Sequence, residues 1–203
     1  MQILLRVFHQ SPNLAAWESR GFVAGVEHGP TPRDRRAFLE RVVAVEAPGD
    51  PEPDGSFRRA ADAILRYAIF PPHLVTSVLR RAPVQLGDTV GTCYHFLRGL
   101  DLFFASRVVN RFEQHGNGAY KCGFTYRTLA GHPVAGEETF SVEKHAATGR
   151  VTVALRSWSR PGLLIAHLAR PLMRWLQRRA GRAALHHLQQ LITVPASACR
   201  SSS

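Results

Sequence analysis

No stretch of about eighteen apolar residues occurs in the 203-residue chain, which excludes an ordinary transmembrane helix. Cysteine is scarce: Cys93, Cys122 and Cys199 are odd in number and far apart, without the short paired spacings that zinc or redox chemistry needs. They read as reduced thiols, with Cys93 and Cys122 acting as small buried hydrophobes. There is no glycine-rich phosphate loop of the usual spacing and no Gly-x-Ser-x-Gly nucleophile elbow. The histidines lack a zinc-helix pattern, since the adjacent His186 and His187 project in different directions. Neither a metal nor a cofactor is expected. The opening "MQILLRVFHQ" interrupts its apolar run at Arg6 and has no small-residue cleavage site. Export is therefore not expected, and the protein reads as cytoplasmic.

Acidic residues stop at Glu143. The first 143 residues are nearly balanced, with 16 basic against 15 acidic, while the remainder carries ten basic residues and no acid. Almost all of the net charge of +11 therefore sits in the last third. A surface of this kind can attract an anionic membrane, an acidic partner or nucleic acid. None of the usual nucleic-acid recognition motifs accompanies it, so nucleic acid is the least supported of the three.

Within these limits the chain reads as one domain of mixed secondary structure, with an apolar fraction of 45% and 20% charged residues. Residues 1–38 form an extension packed on the domain, 39–192 the domain itself, and 193–203 a flexible tail. "LERVVAVEAP" alternates like a first strand. "SFRRAADAILRYAIF" has apolar Ala60, Ile64, Leu65 and Ala68 at helical spacing, Ser56 as a cap, and Pro71-Pro72 as a stop. Then "TVGTCYHFL", "LFFASRVVNRFEQ", "YKCGFTYRTL", "ETFSVEK" and "RVTVALRSWS" read as strands, joined by short glycine-containing links that suit antiparallel neighbours. "RPGLLIAHLARPLMRWLQRRAGRAALHHLQQL" closes the domain as a long amphipathic helix, bent or restarted at Pro171. These elements give an α+β plan: a curved antiparallel sheet wrapped around a long C-terminal helix, the helix-grip arrangement. The space between such a sheet and its helix is a natural pocket for an apolar ligand.

Strand alternation orients the side chains. Cys122, Phe124, Tyr126 and Thr128 share one face, as do Glu138, Phe140 and Val142, and then Val151, Val153 and Leu155; these should turn to the helix. Glu138 is the odd member of an apolar set, and a carboxylate there must be paired, hydrogen-bonded or neutralised. It reads either as a ligand or proton-handling group with Tyr126 and His132, or as a rim residue held by an arginine or by loop amides. His132, extended before Pro133, reads either as a solvent-facing turn residue or as part of that site. On the last helix Ile165, Leu168, Leu172, Leu176, Ala180, Ala183 and Leu191 form the apolar face, with Trp175 at its flank packing into the core. Arg170, Arg174, Arg178 and Arg182 recur every four residues on the opposite side, where like charges repel. That stripe is either a solvated face or a membrane or partner surface.

The hairpin "GFTYRTLAGHPVAGEETFSVE" carries a recognisable pattern: Gly123, Phe124, Tyr126, Thr128 and Leu129, then Gly131, His132 and Pro133, then Gly136, Glu137 and Glu138. With Ser159, Arg160 and Pro161 and the arginine-rich helix, it resembles the uncharacterised family called domain of unknown function nineteen-ninety. The resemblance runs over roughly residues 39–188, strongest from 123 to 182, and departs from the family at Arg127, Ala130 and Trp158. It implies kinship with the START/Bet v 1 helix-grip superfamily, which includes lipid carriers, hormone receptors and polyketide cyclases, and it names no reaction.

The leading expectation is a non-catalytic carrier or sensor of a small hydrophobic or amphiphilic molecule, held by Phe124, Tyr126, Thr128, His132, Glu138, Phe140 and Trp158. The second is a cyclase- or hydratase-type enzyme using Glu138 or His132 as acid or base. The third is a module peripheral at a membrane, or bound to an acidic partner, through the arginine stripe.

Overall fold

The computed structural model describes residues 1–5, 11–97, 100–161 and 170–193. Strand β1 (Gln2–Leu5), the one-turn helix α1 (Ala15–Glu18) and a 3-10 turn (Val26–His28) precede β2 (Arg35–Val45) and helix α2 (Ser56–Leu65). Strands β3 (Val75–Val78), β4 (Thr89–Leu97), β5 (Leu100–Gly116), β6 (Ala119–Thr128), β7 (Val134–His145) and β8 (Arg150–Pro161) follow, and helix α3 (Arg170–Thr193) ends the described chain. All eight strands join one antiparallel sheet in the order β2-β8-β7-β6-β5-β4-β3, with β1 added against β5. Bulges interrupt the register between Val42 and Ala44, His95 and Leu97, and Val108 and Asn110. Each such bulge adds local bend and twist, which lets the sheet wrap its helices. At the β5–β6 turn Asn117 and Gly118 both take left-handed backbone, φ 53° and 70°, as a tight hairpin requires.

The five strands from β4 to β8 run where the alternating pattern puts them, and the helix-grip arrangement is present. Two short strands, β1 and β3, lie in stretches whose sequence gave no strand signal, and β2 starts at Arg35, ahead of the expected Leu39. Both α2 and α3 pack on the same face of the sheet, so the core is closed by two helices instead of one. Phe57, Ala60 and Ile64 of α2 meet Ala184, Leu185, Leu188 and Ile192 of α3 over Cys122, Phe124, Phe140, Val142, Val151, Val153 and Leu155. Cys122 is buried, and burial pushes its thiol up to about 11, so it is chemically quiet. Cys93 is likewise buried. Cys199, Ile165 and Leu168 lie outside the described residues.

Four local expectations need correction. Ser56 does not cap α2: the N-cap is Gly55, and the Phe57 amide donates instead to Glu46 Oε1 at 2.7 Å. α2 ends at Leu65, well before the prolines, which leaves Ala68 outside it and exposed. Leu191 is 41% exposed, because the inward stripe of α3 runs through Gly181, Ala184, Leu185, Leu188 and Ile192. Trp175 is 49% exposed, with the Arg179 guanidinium 5.3 Å above its ring, and takes no part in the core.

The opposite face of the sheet is covered as well. Leu4, Leu14 and Trp17 pack on Cys93, Phe103, Ala105 and Leu129, and Trp17 meets Phe103 edge to face at 6.1 Å. Arg160 reaches from β8 to Asp34 at 3.2 Å, fastening the segment before β2 to this outer face.

Candidate functional site

Registers across β2, β8, β7 and β6 align the inward side chains into rows. Leu39, Leu155, Phe140 and Phe124 form an apolar row. The next row toward the open end is Ala37, Ser157, Glu138 and Tyr126. Beyond it come Arg35, Ser159 and Gly136, with Thr128 joined to Gly136 through its hydroxyl, which accepts the Gly136 amide at 3.0 Å. The inner surface therefore changes from hydrocarbon to hydroxyl, carboxyl and guanidinium within three rows. Gly136 is needed where it stands: a Cβ there would lie 2.1 Å from the Trp158 carbonyl oxygen.

Over the polar rows lies a cavity of about 440 Å³, a size suited to a small organic ligand. Tyr67, Phe70, Val75, Phe104 and Leu155 supply its apolar walls, Thr92 and Tyr94 add hydroxyls from β4, and Ala180 and Gly181 of α3 form the cover. Arg35, Arg178 and Arg182 also border it. Gly181 brings the helix close to β2, since a Cβ there would sit 2.9 Å from Leu39 Cδ1.

The polar centre is a phenol–carboxyl pair. Tyr126 donates its hydroxyl hydrogen to Glu138 Oε2. Burial raises the Glu138 carboxyl to about 7, although the Tyr126 hydrogen bond works in the other direction. Burial and the neighbouring carboxylate push Tyr126 far above the usual phenol range. Tyr67 is also raised, first by burial, and its hydroxyl lies 3.1 Å from Thr92 Oγ1. Rings of Tyr67, Phe124, Tyr126 and Phe140 pack at centroid distances of 5.8–6.4 Å, fixing the phenols in place. Tyr67 reaches this position from left-handed backbone (φ 54°), a costly conformation for a bulky residue, immediately after α2. Near neutral pH the pocket thus offers a carboxyl group divided between acid and anion, able to donate or accept a hydrogen bond.

His132 is not a solvent-facing turn residue; only 7% of it is exposed. Its Nδ1 lies between the Val134 carbonyl (2.9 Å) and the Val134 amide (3.2 Å), and its ring stands edge-on to Phe104 at 4.6 Å. Burial pushes its pKa down to about 3, so the imidazole is neutral at physiological pH. Among the described residues the partner of Glu138 is Tyr126, in place of the arginine or loop amides of the rim reading. Tyr126, Thr128, His132 and Glu138 all border the cavity, whereas Phe124 and Phe140 lie beneath its floor in the core. Trp158 is one residue out of phase with the inward row. It pairs with Glu137 on the outer face, donating Nε1–H to Glu137 Oε2 at 3.3 Å, while Arg127 holds the same carboxylate at 2.5 Å. Its indole thus binds Glu137, although the residue also borders the cavity. Ser157 and Ser159, which the sequence reading did not single out as inward although the Val151–Leu155 alternation carried two steps further reaches them, take the inward positions instead. Tyr67, Thr92 and Tyr94 had no comparable signal, because partners far away in sequence bring them here. Arg178 and Arg182 are exposed at the cavity edge, while the side chains of Arg170 and Arg174 lie outside the described residues.

Among known proteins, the chain is similar to a "UPF0548 protein" of Deinococcus radiodurans, 41% identical over 70 residues, which are 34% of this chain and 33% of that one. A "UPF0548 protein" of Dictyostelium discoideum is 27% identical over 130 residues, 61% of this chain and 60% of that one. The chain thus matches about a third and three fifths of the length of these curated relatives. Similar solved structures include the KanY protein in solution, with TM-score 0.49 and 13% identity over 79% of this chain and 99% of that one. Crystalline Ara h 8.0201 gives 0.47 and 10% over 78% and 97%, and the major latex-like protein 151 of Panax ginseng gives 0.45 and 10% over 80% and 99%. At these scores nothing about ligand or activity follows from them. The sequence model described as "Domain of unknown function (DUF1990)" matches residues 23–187, and the chain belongs to that family.

Proposed function

We propose that this protein is a non-catalytic carrier or sensor that takes a small hydrophobic or amphiphilic molecule between its sheet and α3. One observation carries the reading: a cavity of about 440 Å³ with aromatic and aliphatic walls contains a buried carboxyl–phenol pair. Apolar walls supply affinity, and a few convergent polar groups fix orientation. Tyr126 and Glu138 would hold the polar end of the guest. The neutral fluorophore N-phenyl-naphthylamine tests this, because its emission rises on entering an apolar site. Wild type should bind it, and Ala37→Trp, which fills the space, should abolish binding with the circular dichroism unchanged. Undiminished binding by the filled variant would place the probe elsewhere and reject the proposal.

A second reading draws on the Glu138 carboxyl at about 7, a useful value for a general acid or base in a cyclase- or hydratase-type reaction. His132 has little to offer that chemistry, being neutral and tied to Val134. On this reading Glu138→Gln would stop turnover of a bound substrate and leave its affinity nearly intact. A third reading, attachment at an anionic membrane or acidic partner, draws on the exposed Trp175 beside the exposed Arg178, Arg179 and Arg182. It requires sedimentation with anionic vesicles that weakens as salt rises and is absent with neutral vesicles.

A further inference from the structure

The cavity is not electrically uniform. Its inner end carries Glu138, Tyr126, Tyr67 and Thr92, where the carboxyl group is half-neutral and the remaining groups are uncharged hydroxyls. Its border with α3 and the β2 edge carries Arg35, Arg178 and Arg182. Arg35 belongs to the inward row of β2, opposite Ser159. Arg178 and Arg182 lie one turn apart on α3, on either side of Gly181, which packs close to Leu39 of β2. Among the described residues neither Arg178 nor Arg182 makes an ion pair. The other acid bordering the cavity, Glu137, is engaged by Arg127 on the far side of the sheet. No acid occurs in the sequence after Glu143 to offset α3.

Guanidinium groups recognise carboxylate and phosphate oxygens by paired, directed N–H bonds, and they repel a cation. An ammonium ligand would have to pass these arginines to reach a carboxyl group that burial already holds half-protonated. A neutral ligand would leave Arg178 and Arg182 unused. We infer that the guest is an apolar acid: a hydrocarbon or aromatic body over Phe70, Phe104 and Leu155, a single anionic group at Arg178 and Arg182, and an uncharged oxygen directed toward Tyr126 and Glu138. This inference rests on the ligand-binding proposal above and specifies its chemistry.

Calorimetric titration of the whole chain with decanoate, decyl phosphate, decanol and decylamine tests it, since these share one tail and differ in head group. Decanoate or decyl phosphate should bind about tenfold more tightly than decanol, as expected for a partly desolvated charge-assisted contact, and decylamine more weakly still. The pair also distinguishes a carboxylate head from a phosphate one. The advantage should shrink with added salt. In Arg178→Gln/Arg182→Gln, both changes at exposed positions, the acids should fall to the decanol level with decanol unaffected. Inorganic phosphate alone should not bind. Equal affinity for acid, alcohol and amine, or preference for the amine, would overturn the charge assignment while leaving the cavity proposal standing. Failure of all four to bind would remove the cavity proposal and this inference together.

Discussion

Glu138 has the chemistry of a group held against its preference. Water would keep its carboxyl ionised at pH 7, but burial raises it to about 7, and its hydrogen bond from Tyr126 recovers only part of the lost hydration. The folded carboxyl therefore binds its proton more tightly than the unfolded one near 4.5. The associated stability is fully present below that unfolded value and is lost as pH rises through about 7. Glu138→Gln removes the titration. Relative to wild type, the variant should gain on the order of 2 kcal/mol between pH 5 and pH 8, since one pKa unit corresponds to about 1.4 kcal/mol. Urea unfolding at the two pH values measures this, and a parallel pH dependence in both proteins would contradict the buried-acid description.

Individual elements are tied together by charges as well as by hydrocarbon. Glu46, just beyond β2, accepts the Phe57 amide in the first turn of α2 and pairs with Lys144 of β7 at 2.9 Å, with only 3% and 0% of the two side chains exposed. Lys144 also donates to the Asp50 carbonyl at 2.8 Å. Burial acts to raise the Glu46 carboxyl, but the Phe57 amide and Lys144 outweigh it, so its pKa lies below the ordinary value. Its contribution is thus present above the unfolded value and is lost as pH falls through the depressed folded one. Lys144→Met strands the carboxylate and should cost about 3–5 kcal/mol, because an unpaired buried charge is worse than none. Adding Glu46→Gln, which keeps an acceptor for the helix amide, should recover part of that loss in chemical denaturation. A single variant as stable as wild type would show that the pair holds nothing together.

The molecule as a whole is three layers, with helices inside the curve of the sheet and the segment before β2 on its outer face. The family match begins at residue 23, inside that outer segment, where the sequence resemblance had been expected to start at 39. Trp17 anchors the outer layer at 2% exposure against Phe103. Trp17→Ala should therefore cost about 3–5 kcal/mol, as for other large aromatic deletions from a core. A thermal midpoint within a degree of wild type would mean that the outer layer packs without contributing stability. No helix among the described residues is long and apolar enough to cross a membrane.

Strand alternation sufficed to give the antiparallel run from β4 to β8 and the inward turn of Phe124, Tyr126, Glu138 and Phe140, because a period of two leaves each side chain a single face to occupy. Periodicity also located α3, but not which of its stripes faces inward, since alanine, leucine and arginine are spread around its circumference. Trp158 borders the cavity, while the pleat gives the inward positions beside it to Ser157 and Ser159. Nothing local could reveal that Glu46 caps α2, that His132 is sealed under Phe104, or that Tyr67, Thr92, Tyr94 and Arg35 meet around one cavity. Those are contacts between residues distant along the chain, and they exist only once strand registers and the approach of α3 at Gly181 have fixed the distances between elements.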